Sequence, residues 1–573
     1  MSAEGSGSGV ECFWGNLKDH PQCPHGPTLL FGKRLNGEIT QYYACSACRD
    51  RKLCNFYLEK TDKLTKIQKN AWQAESKKFI QQYNHRKYFL RLNEITSERP
   101  ENRGYCHTCG RLYFVNEIAK HKDHELTTGV TDDQLKNPTK ILKPLSNPKK
   151  EAQYLFSEKA TAEVVDLLIK AGAKHILCIG APRIHEYITQ NHEKMTSLLL
   201  DFDGRYHNFF GPLSFCWYNL FNNHFFTEES QEVFNDFLTQ DNGKNIFLVC
   251  DPPFGGRVEF MSQTIKSITD SHRILNKLDN NETLKIFFVL PYFMESIMLN
   301  KSNPRGVDGG LKDLKMSDYK VDYENHPLFV TGSSGRKYGS PVRIFTNVSL
   351  NLLKLPEDGY KWCKRCDKWV ARENKHCKLC KSCTSKDGRR YRHCKICNRC
   401  VKPTWKHCDK CERCVLEKHV CGIKPKITGE CFTCCGTDHI AKDCPRDQSP
   451  IKRKKEDLSV KKNKKMKIEA VAPDVTSKKQ KKIKLKNSKE KSTNGDLRND
   501  IAKDCPVLRS PKKRKNEEDL SLKKKKKVKI EAVAPEVPSK KQKKIKSQTS
   551  KEKSANGDLR GKKLKKRQLK NKN

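Results

Sequence analysis

Closely spaced cysteines and histidines between residues 363 and 421 constrain the fold of this chain more than any other part of its sequence. The segment contains Cys363 and Cys366, then three copies of His-Cys-x2-Cys-x2-Cys beginning at His376, His393 and His407, then His419 and Cys421. Structural zinc takes four sulfur or nitrogen ligands, so these 16 residues suffice for four ions. Because the segment has few apolar residues, we expect bound metal to hold it folded.

The spacing resembles the cysteine-rich zinc ribbons of DHHC proteins, in which successive metal sites interleave along the chain. The resemblance implies a zinc array over residues 360–424. Its four ligand sets would be Cys363, Cys366, His376 and Cys383; Cys377, Cys380, His393 and Cys400; Cys394, Cys397, His407 and Cys414; and Cys408, Cys411, His419 and Cys421. The array lacks the Asp-His-His-Cys nucleophile of those enzymes, so we do not expect palmitoyl transfer.

Two motifs predict further zinc sites before the array. Within residues 20–60, Cys23, His25, Cys45 and Cys54 form a pattern that resembles GRF-type zinc fingers, which bind single-stranded nucleic acid. Cys48 competes with Cys45 as the third ligand of this set. Within residues 101–128, Cys106, Cys109, His121 and His124 have the order of a C2H2 finger. The basic residues 61–100 are predicted to form a helical linker between the two.

Another zinc motif follows the array. Cys431-x2-Cys434-x4-His439-x4-Cys444 is a complete CCHC knuckle within residues 429–446, and zinc knuckles contact single-stranded RNA. Together the motifs predict about seven zinc ions. Zinc thiolates explain the 27 cysteines better than disulfides do, because the chain is long and has no apolar N-terminal signal.

Positive charge is concentrated at the C-terminal end of the chain. Residues 446–573 contain 46 Lys and Arg against 16 Asp and Glu, a net charge of +30, and the whole chain carries +47. The sequence Ile440–Pro445 recurs as Ile501–Pro506, and Lys467–Pro473 recurs as Lys529–Pro535. We expect residues 447–573 to be a disordered, duplicated tail, and residues 1–19 to be disordered as well.

This charge balance favours a nucleic-acid partner. The basic sequence at residues 511–515, Pro-Lys-Lys-Arg-Lys, indicates a nuclear or nucleolar address and is compatible with a cytoplasmic pool as well. No apolar run is long enough to span a bilayer, so no membrane partner is expected.

Between a Pro- and Lys-rich linker (129–152) and the array, residues 153–355 alternate apolar strands with helical stretches. This alternation predicts an α/β domain with an open, doubly wound sheet. Strands are expected at His175–Ile179, Ser197–Phe202, Asn245–Cys250, Leu284–Leu290 and Val342–Val348. Ligands of such sheets bind at the carboxyl ends of the strands. Gly180, which would let a cofactor approach the backbone, and the acids Asp201 and Asp251 all lie at such ends.

Asp251-Pro252-Pro253-Phe254 directly follows the third of these strands, where two prolines must end the ladder and hold the backbone rigid. The tetrapeptide resembles motif IV of the amino-group methyltransferases, which use S-adenosylmethionine. Upstream, Gln153-Tyr154-Leu155-Phe156 resembles the entry motif of adenine-N6 methyltransferases, which wraps the cofactor.

With the flanking zinc motifs, residues 20–445 resemble the zinc-knuckle-containing ribosomal RNA adenine-N6 methyltransferases of animals. The resemblance implies a class I, Rossmann-like methyltransferase domain that acts on a specific adenosine of large-subunit ribosomal RNA. It implies cofactor contacts from Ala152, Gln153, Tyr154, Leu155, Phe156, Arg183, Asp201, Tyr218, Asn219 and Asp251. Adenine enzymes often have Asn where this chain has Asp251, and acidic variants of the motif are common among them.

The residue types of the tetrapeptide suit transfer to an exocyclic adenine amine, whose lone pair is delocalised into the ring. The Asp251 carboxylate and the Pro252 carbonyl can accept its two N–H groups while Phe254 stacks on the base. The target adenosine must be unpaired or extruded, because a duplex engages that amine. The zinc modules would bind and orient the RNA.

Two other interpretations remain open from the sequence. The same motifs serve enzymes that methylate DNA adenine or a protein glutamine. Alternatively, the chain is a multi-zinc RNA-binding scaffold whose methyltransferase domain is inactive.

Overall fold

A computed structural model describes residues 10–35, 38–48, 51–145, 153–279, 282–303, 307–326 and 339–421. Four sets of predicted features lie outside these residues: residues 1–9 of the predicted N-terminal tail, the cofactor contact at Ala152, the knuckle ligands Cys431, Cys434, His439 and Cys444, and the tail 447–573. Within the described ranges, no helix has both the length and the apolar character needed to cross a membrane.

The N-terminal module is a small sheet in the order β1-β4-β5-β6, beside a hairpin of β2 and β3. Its elements are β1 (Val10–Phe13), a 3-10 turn at Leu17–Asp19, β2 (Gln22–Cys23), β3 (Gly26–Pro27), β4 (Leu29–Leu35), β5 (Glu38–Ala44) and β6 (Tyr57–Glu59). β1 pairs antiparallel with β4, which places Val10 opposite Lys33. Residues 10–19 therefore belong to the module rather than to a disordered tail, because β4 supplies backbone partners that composition alone does not reveal.

Two helices connect this module with the second finger, as the sequence predicted. They are α1 (Lys66–Ile80) and α2 (His85–Ser97), each started by a side-chain cap, Thr65 and Asn84. The finger then consists of a 3-10 turn at Pro100–Asn102, β7 (Arg103–Cys106), β8 (Arg111–Phe114), a 3-10 helix at Val115–His121 and β9 (Leu126–Thr128).

The central domain is built on one eight-stranded sheet in the order β13-β12-β11-β10-β14-β15-β17-β16. The strands are β10 (His175–Ile179), β11 (Thr196–Asp201), β12 (Phe215–Asn219), β13 (His224–Phe225), β14 (Ile246–Cys250), β15 (Lys285–Pro291), β16 (Lys315–Lys320) and β17 (Val342–Thr346). The helices are α4 (Glu158–Lys170), α5 (Pro182–Asn191), α6 (Glu228–Leu238), α7 (Val258–Leu275) and α8 (Glu295–Lys301). Short 3-10 turns cover Gly204–Asn208, Gln240–Gly243 and Tyr292–Met294.

Strand direction confirms the α/β prediction and adds to it. The neighbouring strands β12, β11, β10, β14 and β15 run parallel, and the chain order reverses at β10. β13 and β17 run antiparallel to their neighbours, so the sheet is mixed. The five strands expected from the sequence are all present, with ends shifted by two residues at most.

Alternating side chains bury both faces of this sheet. On β10, Ile176 and Cys178 enter one core and Leu177 and Ile179 enter the other, as expected for parallel strands covered on both sides. The first core also takes in the fully buried Ile95 of α2 and residues of the second finger. The finger is thus packed into the central domain and does not stand apart from it.

The segment 130–142 is part of this core as well. It contains α3 (Asp132–Lys136) and a 3-10 turn at Pro138–Lys140, and its buried apolar residues are Val130, Leu135, Ile141 and Leu142. The carboxylate of Glu186 on α5 accepts hydrogen bonds from the backbone N and Oγ1 of Thr139 at 2.9 and 2.6 Å. The linker predicted for residues 129–152 is therefore folded over its described part, because these four side chains meet the core.

The array consists of four small hairpins. Their strands are β18 (Tyr360–Cys363) with β19 (Lys368–Ala371), β20 (His376–Cys377) with β21 (Ser382–Cys383), β22 (Arg392–Cys394) with β23 (Arg399–Val401), and β24 (Trp405–Cys408) with β25 (Arg413–Leu416) around a 3-10 turn at Asp409–Cys411. In each hairpin the residue after the second cysteine of Cys-x2-Cys has a positive φ: Asp367, Lys381, Asn398 and Glu412. This repeated left-handed residue turns the chain back so that the next ligand approaches the same point.

The burial of Ile95 in the first core leads to a prediction about the free energy of unfolding. Replacing Ile95 by Ala should lower the free energy of unfolding by about 2–5 kcal/mol, because it leaves a cavity in the first core. The matched control is Ile67→Ala on α1, where the side chain is 82% exposed and the expected change is within about 0.5 kcal/mol. Denaturant unfolding of both variants tests this; equal destabilisation would mean that α2 does not share the core.

Candidate active site and metal-binding groups

Three adjacent parallel strands end together at the point where the strand order reverses. β10 pairs with β14 so that Ile179 lies opposite Cys250, and Gly180 and Asp251 follow side by side. Asp201 ends β11 on the other side of β10. The structure thus brings together the three residues that the sequence placed at strand ends, at the position where ligands of doubly wound sheets bind.

Gly180 allows the close backbone approach predicted for it. Its φ is +63°, and a Cβ atom at this position would lie 2.8 Å from the carbonyl oxygen of Asp251. Any other residue would therefore clash with the neighbouring strand end. A narrow crevice of about 10 Å³ lies at this point, and its lining comprises Tyr154, Leu155, Phe156, Gly180, Ala181, Pro182, Arg183 and Asp251. Six of these eight were predicted from the sequence to contact the cofactor.

The carboxylate of Asp251 has one side-chain partner that the sequence did not reveal. The hydroxyl of Tyr323 donates a hydrogen bond to Asp251 Oδ1 at 2.8 Å. Burial raises the pKa of Asp251 well above its usual range, and the hydrogen bond from Tyr323 lowers it. The Tyr323 ring is itself buried, 5.2 Å from the Phe156 ring and 6.1 Å from the Phe254 ring. Tyr323 thus orients the acid of the tetrapeptide and favours its ionised form.

The remaining residues of the tetrapeptide differ in exposure. Pro252 is buried, Phe254 is half-buried, and Pro253 is exposed. The backbone N–H of Gly256 closes a turn on the Pro253 carbonyl at 2.7 Å. Phe254 is therefore only partly covered beside Asp251, which leaves part of its side chain accessible to a stacking partner.

The entry segment 153–157 is held by the segment that carries Tyr323. The N–H groups of Ser157 and Glu324 donate to the carbonyls of Asp322 and Leu155, both at 2.9 Å. Asn325 links its amide to the Gln153 carbonyl at 2.9 Å and to the Leu155 N–H at 2.8 Å. Tyr154 packs against the His326 ring at 4.2 Å. These contacts hold the entry segment along one wall of the crevice.

Arg183, on α5, contacts the same wall of the crevice. Its Nη1 atom donates to the Phe156 carbonyl at 2.8 Å and pairs with the Glu324 carboxylate. Gln153 and Asp201 lie beside the crevice rather than in its lining. The Gln153 amide donates to Asp203 at 2.9 Å, and Asp201 accepts the Asp203 N–H at 2.9 Å. Burial and the nearby Asp203 raise the pKa of Asp201 to about 7.

Tyr218 and Asn219 are not brought to the crevice. Tyr218 is 1% exposed within the second core, and its hydroxyl donates to Asn223 at 2.7 Å. The Asn219 amide donates to the His25 carbonyl at 3.0 Å and to Ser46 Oγ at 2.8 Å. Asn222 donates to the same two atoms at 3.0 and 2.9 Å. These amides hold the N-terminal module against the central sheet, a long-range role that local sequence does not indicate.

Cysteines and histidines form groups that match the predicted zinc ligand sets. Five of these groups, each with its ligand atoms within 4.8 Å of one another, are Cys23, His25, Cys45 and Cys54; Cys106, Cys109, His121 and His124; and the first three interleaved sets of the array. In the fourth array set, His419 Nε2 lies 3.6 Å from Cys411 Sγ and 3.2 Å from Cys421 Sγ, and Cys408 Sγ lies 3.3 Å from Cys421 Sγ.

The position of Cys48 distinguishes it from Cys45. Cys45 Sγ lies 3.4 Å from His25 Nδ1 and belongs to the buried group with Cys23 and Cys54. Cys48 instead donates its backbone N–H to Cys45 Sγ at 3.3 Å, and its own sulfur lies 3.6 Å from the other ring nitrogen of His25. The geometry therefore favours Cys45 as the ligand, with Cys48 supplying a hydrogen bond to it.

The spacing within these groups suits tetrahedral zinc. Zn–S bonds of about 2.3 Å imply sulfur atoms about 3.8 Å apart in a tetrahedron, whereas a disulfide holds them about 2.05 Å apart. Sulfur pairs in the array lie at 3.6 Å (Cys363–Cys383), 3.7 Å (Cys380–Cys400) and 3.7 Å (Cys397–Cys414). The backbone N–H of Cys397 lowers the pKa of the Cys394 thiol to about 7, which favours the thiolate that zinc requires.

Interleaving of the array can be tested by zinc stoichiometry. Replacing Cys363 and Cys383 together by Ser should remove about one zinc per chain, because both belong to one group. Replacing Cys377 and Cys383 should remove about two, because they belong to neighbouring groups. Metal analysis of the purified chains measures this, with Cys12→Ser as the control outside all groups. The opposite order of losses would mean that each His-Cys-x2-Cys-x2-Cys copy binds its own ion.

Comparisons with known proteins agree with this geometry. A family model described as "Probable N6-adenine methyltransferase" matches residues 147–328, the segment that contains the entry motif, Gly180, Asp251 and Tyr323. The rRNA N(6)-adenosine-methyltransferase ZCCHC4 of Homo sapiens is 40% identical over 465 residues, 78% of this chain and 87% of that protein. The proteins of the same name from Xenopus tropicalis and Mus musculus are 42% and 44% identical, covering 80% and 74% of this chain and 94% and 82% of their own lengths.

The matches extend well beyond the catalytic segment. Each covers about three quarters or more of this chain, so they take in zinc motifs as well as the central domain. They confirm the resemblance that the order of motifs indicated. This chain belongs to the rRNA N(6)-adenosine-methyltransferase ZCCHC4 family.

Proposed function

We propose that this chain transfers a methyl group from S-adenosylmethionine to N6 of a specific adenosine in large-subunit ribosomal RNA. The observation that carries the proposal is the half-buried Asp251 carboxylate at the strand-order reversal, beside Gly180 and oriented by Tyr323. The central domain is then a class I, Rossmann-like methyltransferase domain. The names of the relatives support the substrate.

The residues around the crevice have the chemistry that the cofactor needs, but the crevice, at about 10 Å³, has to widen to admit it. Gly180 leaves space that any Cβ would fill, and Tyr154, Leu155, Phe156 and Arg183 would hold the cofactor along the entry segment. Asp201 has the position and the carboxylate needed to accept ribose hydroxyls. When bound, S-adenosylmethionine supplies a methyl group activated by its sulfonium charge.

Asp251 and Pro252 act on the adenine amine. The Asp251 carboxylate and the Pro252 carbonyl accept the two N6–H groups, which orients the nitrogen lone pair towards the methyl group, and Phe254 stacks on the ring. Methyl transfer from the bound cofactor would leave N6 with one proton to lose, and Asp251 is placed to accept that proton. Its raised pKa makes Asp251 a better proton acceptor than an exposed carboxylate. Catalysis thus rests on positioning and on charge complementarity.

Replacement of Asp251 tests this role. Asp251→Ala should lower kcat for rRNA methylation by about 10²-fold or more, because positioning and proton acceptance are both lost. Zinc content and unfolding temperature should stay unchanged. Asp236→Ala, an exposed acid on α6, is the matched control and should retain full activity. An Asp251→Ala chain that still methylates rRNA at the normal rate would refute the role given to Asp251.

The hydrogen bond from Tyr323 to Asp251 predicts how the methylation rate depends on pH. Because its hydrogen bond lowers the pKa of Asp251, Tyr323→Phe should raise that pKa further, and the acidic limb of the kcat profile should move to higher pH. A hydrogen bond to a charged group is worth about 1.5–3 kcal/mol, so the shift should be about one to two pH units. Activity should return as pH rises through the new value.

The control for this measurement is Tyr319→Phe, which removes a hydroxyl that donates to Glu163 at 2.7 Å instead. It lies in the same stretch of chain and should leave the pH profile in place. An unchanged profile for Tyr323→Phe would show that Tyr323 acts only through packing.

Around this site we propose that the zinc modules bind and orient the RNA so that an unpaired or extruded adenosine reaches Asp251. About seven zinc ions are proposed, one of them held by the knuckle ligands Cys431, Cys434, His439 and Cys444. The basic tail would raise the local RNA concentration. A nuclear and nucleolar location is proposed from residues 511–515 and can be tested by imaging the chain with those residues replaced.

Mapping of N6-methyladenosine by mass spectrometry, in rRNA from cells with and without this chain, tests the substrate. Labelled cofactor offered with rRNA, DNA and protein tests the other methyl acceptors. Calorimetry with S-adenosylmethionine tests the inactive-scaffold alternative, which predicts RNA binding without cofactor binding.

A further inference from the structure

The first hairpin of the array carries an unusual exposed side chain. All six tryptophans of the chain lie in described ranges, and Trp362 is the one among them that is exposed, at 37%. Trp362 lies opposite Trp369 across the β18–β19 pair, with the ring centroids 6.2 Å apart. Trp369 in turn packs against the first core. The Trp362 indole is therefore held in place by a fixed neighbour while it faces solvent.

A basic groove adjoins this indole. The groove has a volume of about 410 Å³, and the side chains of Lys361, Lys364, Arg365 and Lys375 line it together with Trp362. The groove lies over the first metal-binding group, because Cys363, His376 and Cys383 also line it, and no carboxylate does. A zinc ion with three thiolates carries a net charge of about −1, which offsets only part of the four positive side chains. Lys364, Arg365 and Lys375 are exposed and form no ion pair within the described part of the chain. The groove thus combines a net positive charge with one aromatic face.

The hairpin that forms this groove is rigidly joined to the catalytic domain. Asp318 on β16 accepts the Ala371 N–H at 3.0 Å and the Asn374 amide at 2.8 Å. The Tyr360 hydroxyl accepts the Lys320 N–H at 2.8 Å. β16 ends three residues before Tyr323. A ligand bound in the groove would therefore be held in a fixed relation to the segment that orients Asp251.

We propose that this groove binds single-stranded RNA, with one base stacked on Trp362 and the adjacent phosphates held by Lys364, Arg365 and Lys375. Aromatic faces flanked by basic side chains are the usual means of binding single strands without sequence preference, because every base has a face to stack. An acidic protein segment would use the charge but would not need the exposed indole. This inference rests on the proposed function, because it assigns part of the rRNA contact to one surface of the array.

The test uses the full chain and a 12-nucleotide oligouridine, with a 12-base-pair RNA duplex for comparison. The groove variant is Lys364→Glu, Arg365→Glu and Lys375→Glu combined. Its matched control is Lys378→Glu, Lys395→Glu and Lys410→Glu combined, which reverses the charge of three exposed lysines on the other hairpins and changes the net charge equally.

A second set of variants tests the indole. Trp362→Ala removes it, Trp362→Phe replaces it with another aromatic ring, and Trp405→Ala in the last hairpin is the control.

We expect the groove variant to reduce the salt dependence of oligouridine binding by about 2 in log–log slope, because three contacts on a single strand contribute about 0.7 each. The charge-matched control should retain the slope. Trp362→Ala should weaken binding between about fivefold and a hundredfold, Trp362→Phe should restore most of it, and Trp405→Ala should have little effect. Photo-crosslinks from 4-thiouridine in the oligomer should map to residues 360–376 and disappear in the groove variant.

Several outcomes would overturn the proposal. They are equal weakening by the groove variant and its control, no loss with Trp362→Ala, or crosslinks confined to other regions. Loss of binding to polyglutamate without loss of oligouridine binding would identify a protein-docking surface instead.

Methyl transfer to rRNA is measured in parallel with the wild-type chain. Absent methyl transfer would count against the proposed function alone, whereas normal methyl transfer without groove crosslinks would count against the groove alone.

Discussion

Parallel pairing of β10 with β14 is the constraint on which the catalytic geometry depends. Because Ile179 lies opposite Cys250, the next residues of the two strands meet, and only glycine fits beside the Asp251 carbonyl. The same pairing places Asp251 at the reversal of strand order, in the lining of the narrow crevice between the strand ends. A shift of one residue in this register would turn Asp251 to the other face of the sheet.

The second constraint is a hydrogen bond between residues that are far apart in the chain. Tyr323 reaches Asp251 across 72 residues of sequence, and it does so because the segment 322–326 pairs with the entry segment 153–157. The zinc array is joined to the same region through Asp318 on β16. The array is thus attached five residues before Tyr323, the residue that orients Asp251.

The zinc modules also differ in how they are held. The second finger contributes residues to the main core, and the first module is attached through the amides of Asn219 and Asn222. The array has few buried apolar residues of its own. Each of its four hairpins has a residue of positive φ directly after Cys-x2-Cys. Modules that are fixed to a catalytic domain present RNA-binding groups at constant distances, which favours selection of one nucleotide over many.

The features that could be predicted from the sequence are local. The resemblance to interleaved zinc ribbons predicted the groups around Cys363 and Cys377, and periodicity predicted the strands within two residues. Three features could not be predicted: Tyr323 orients Asp251, Asn219 holds the N-terminal module instead of lining the crevice, and residues 130–142 join the core. These features depend on long-range packing, in which a side chain's partner is set by how distant segments meet and not by its neighbours in sequence.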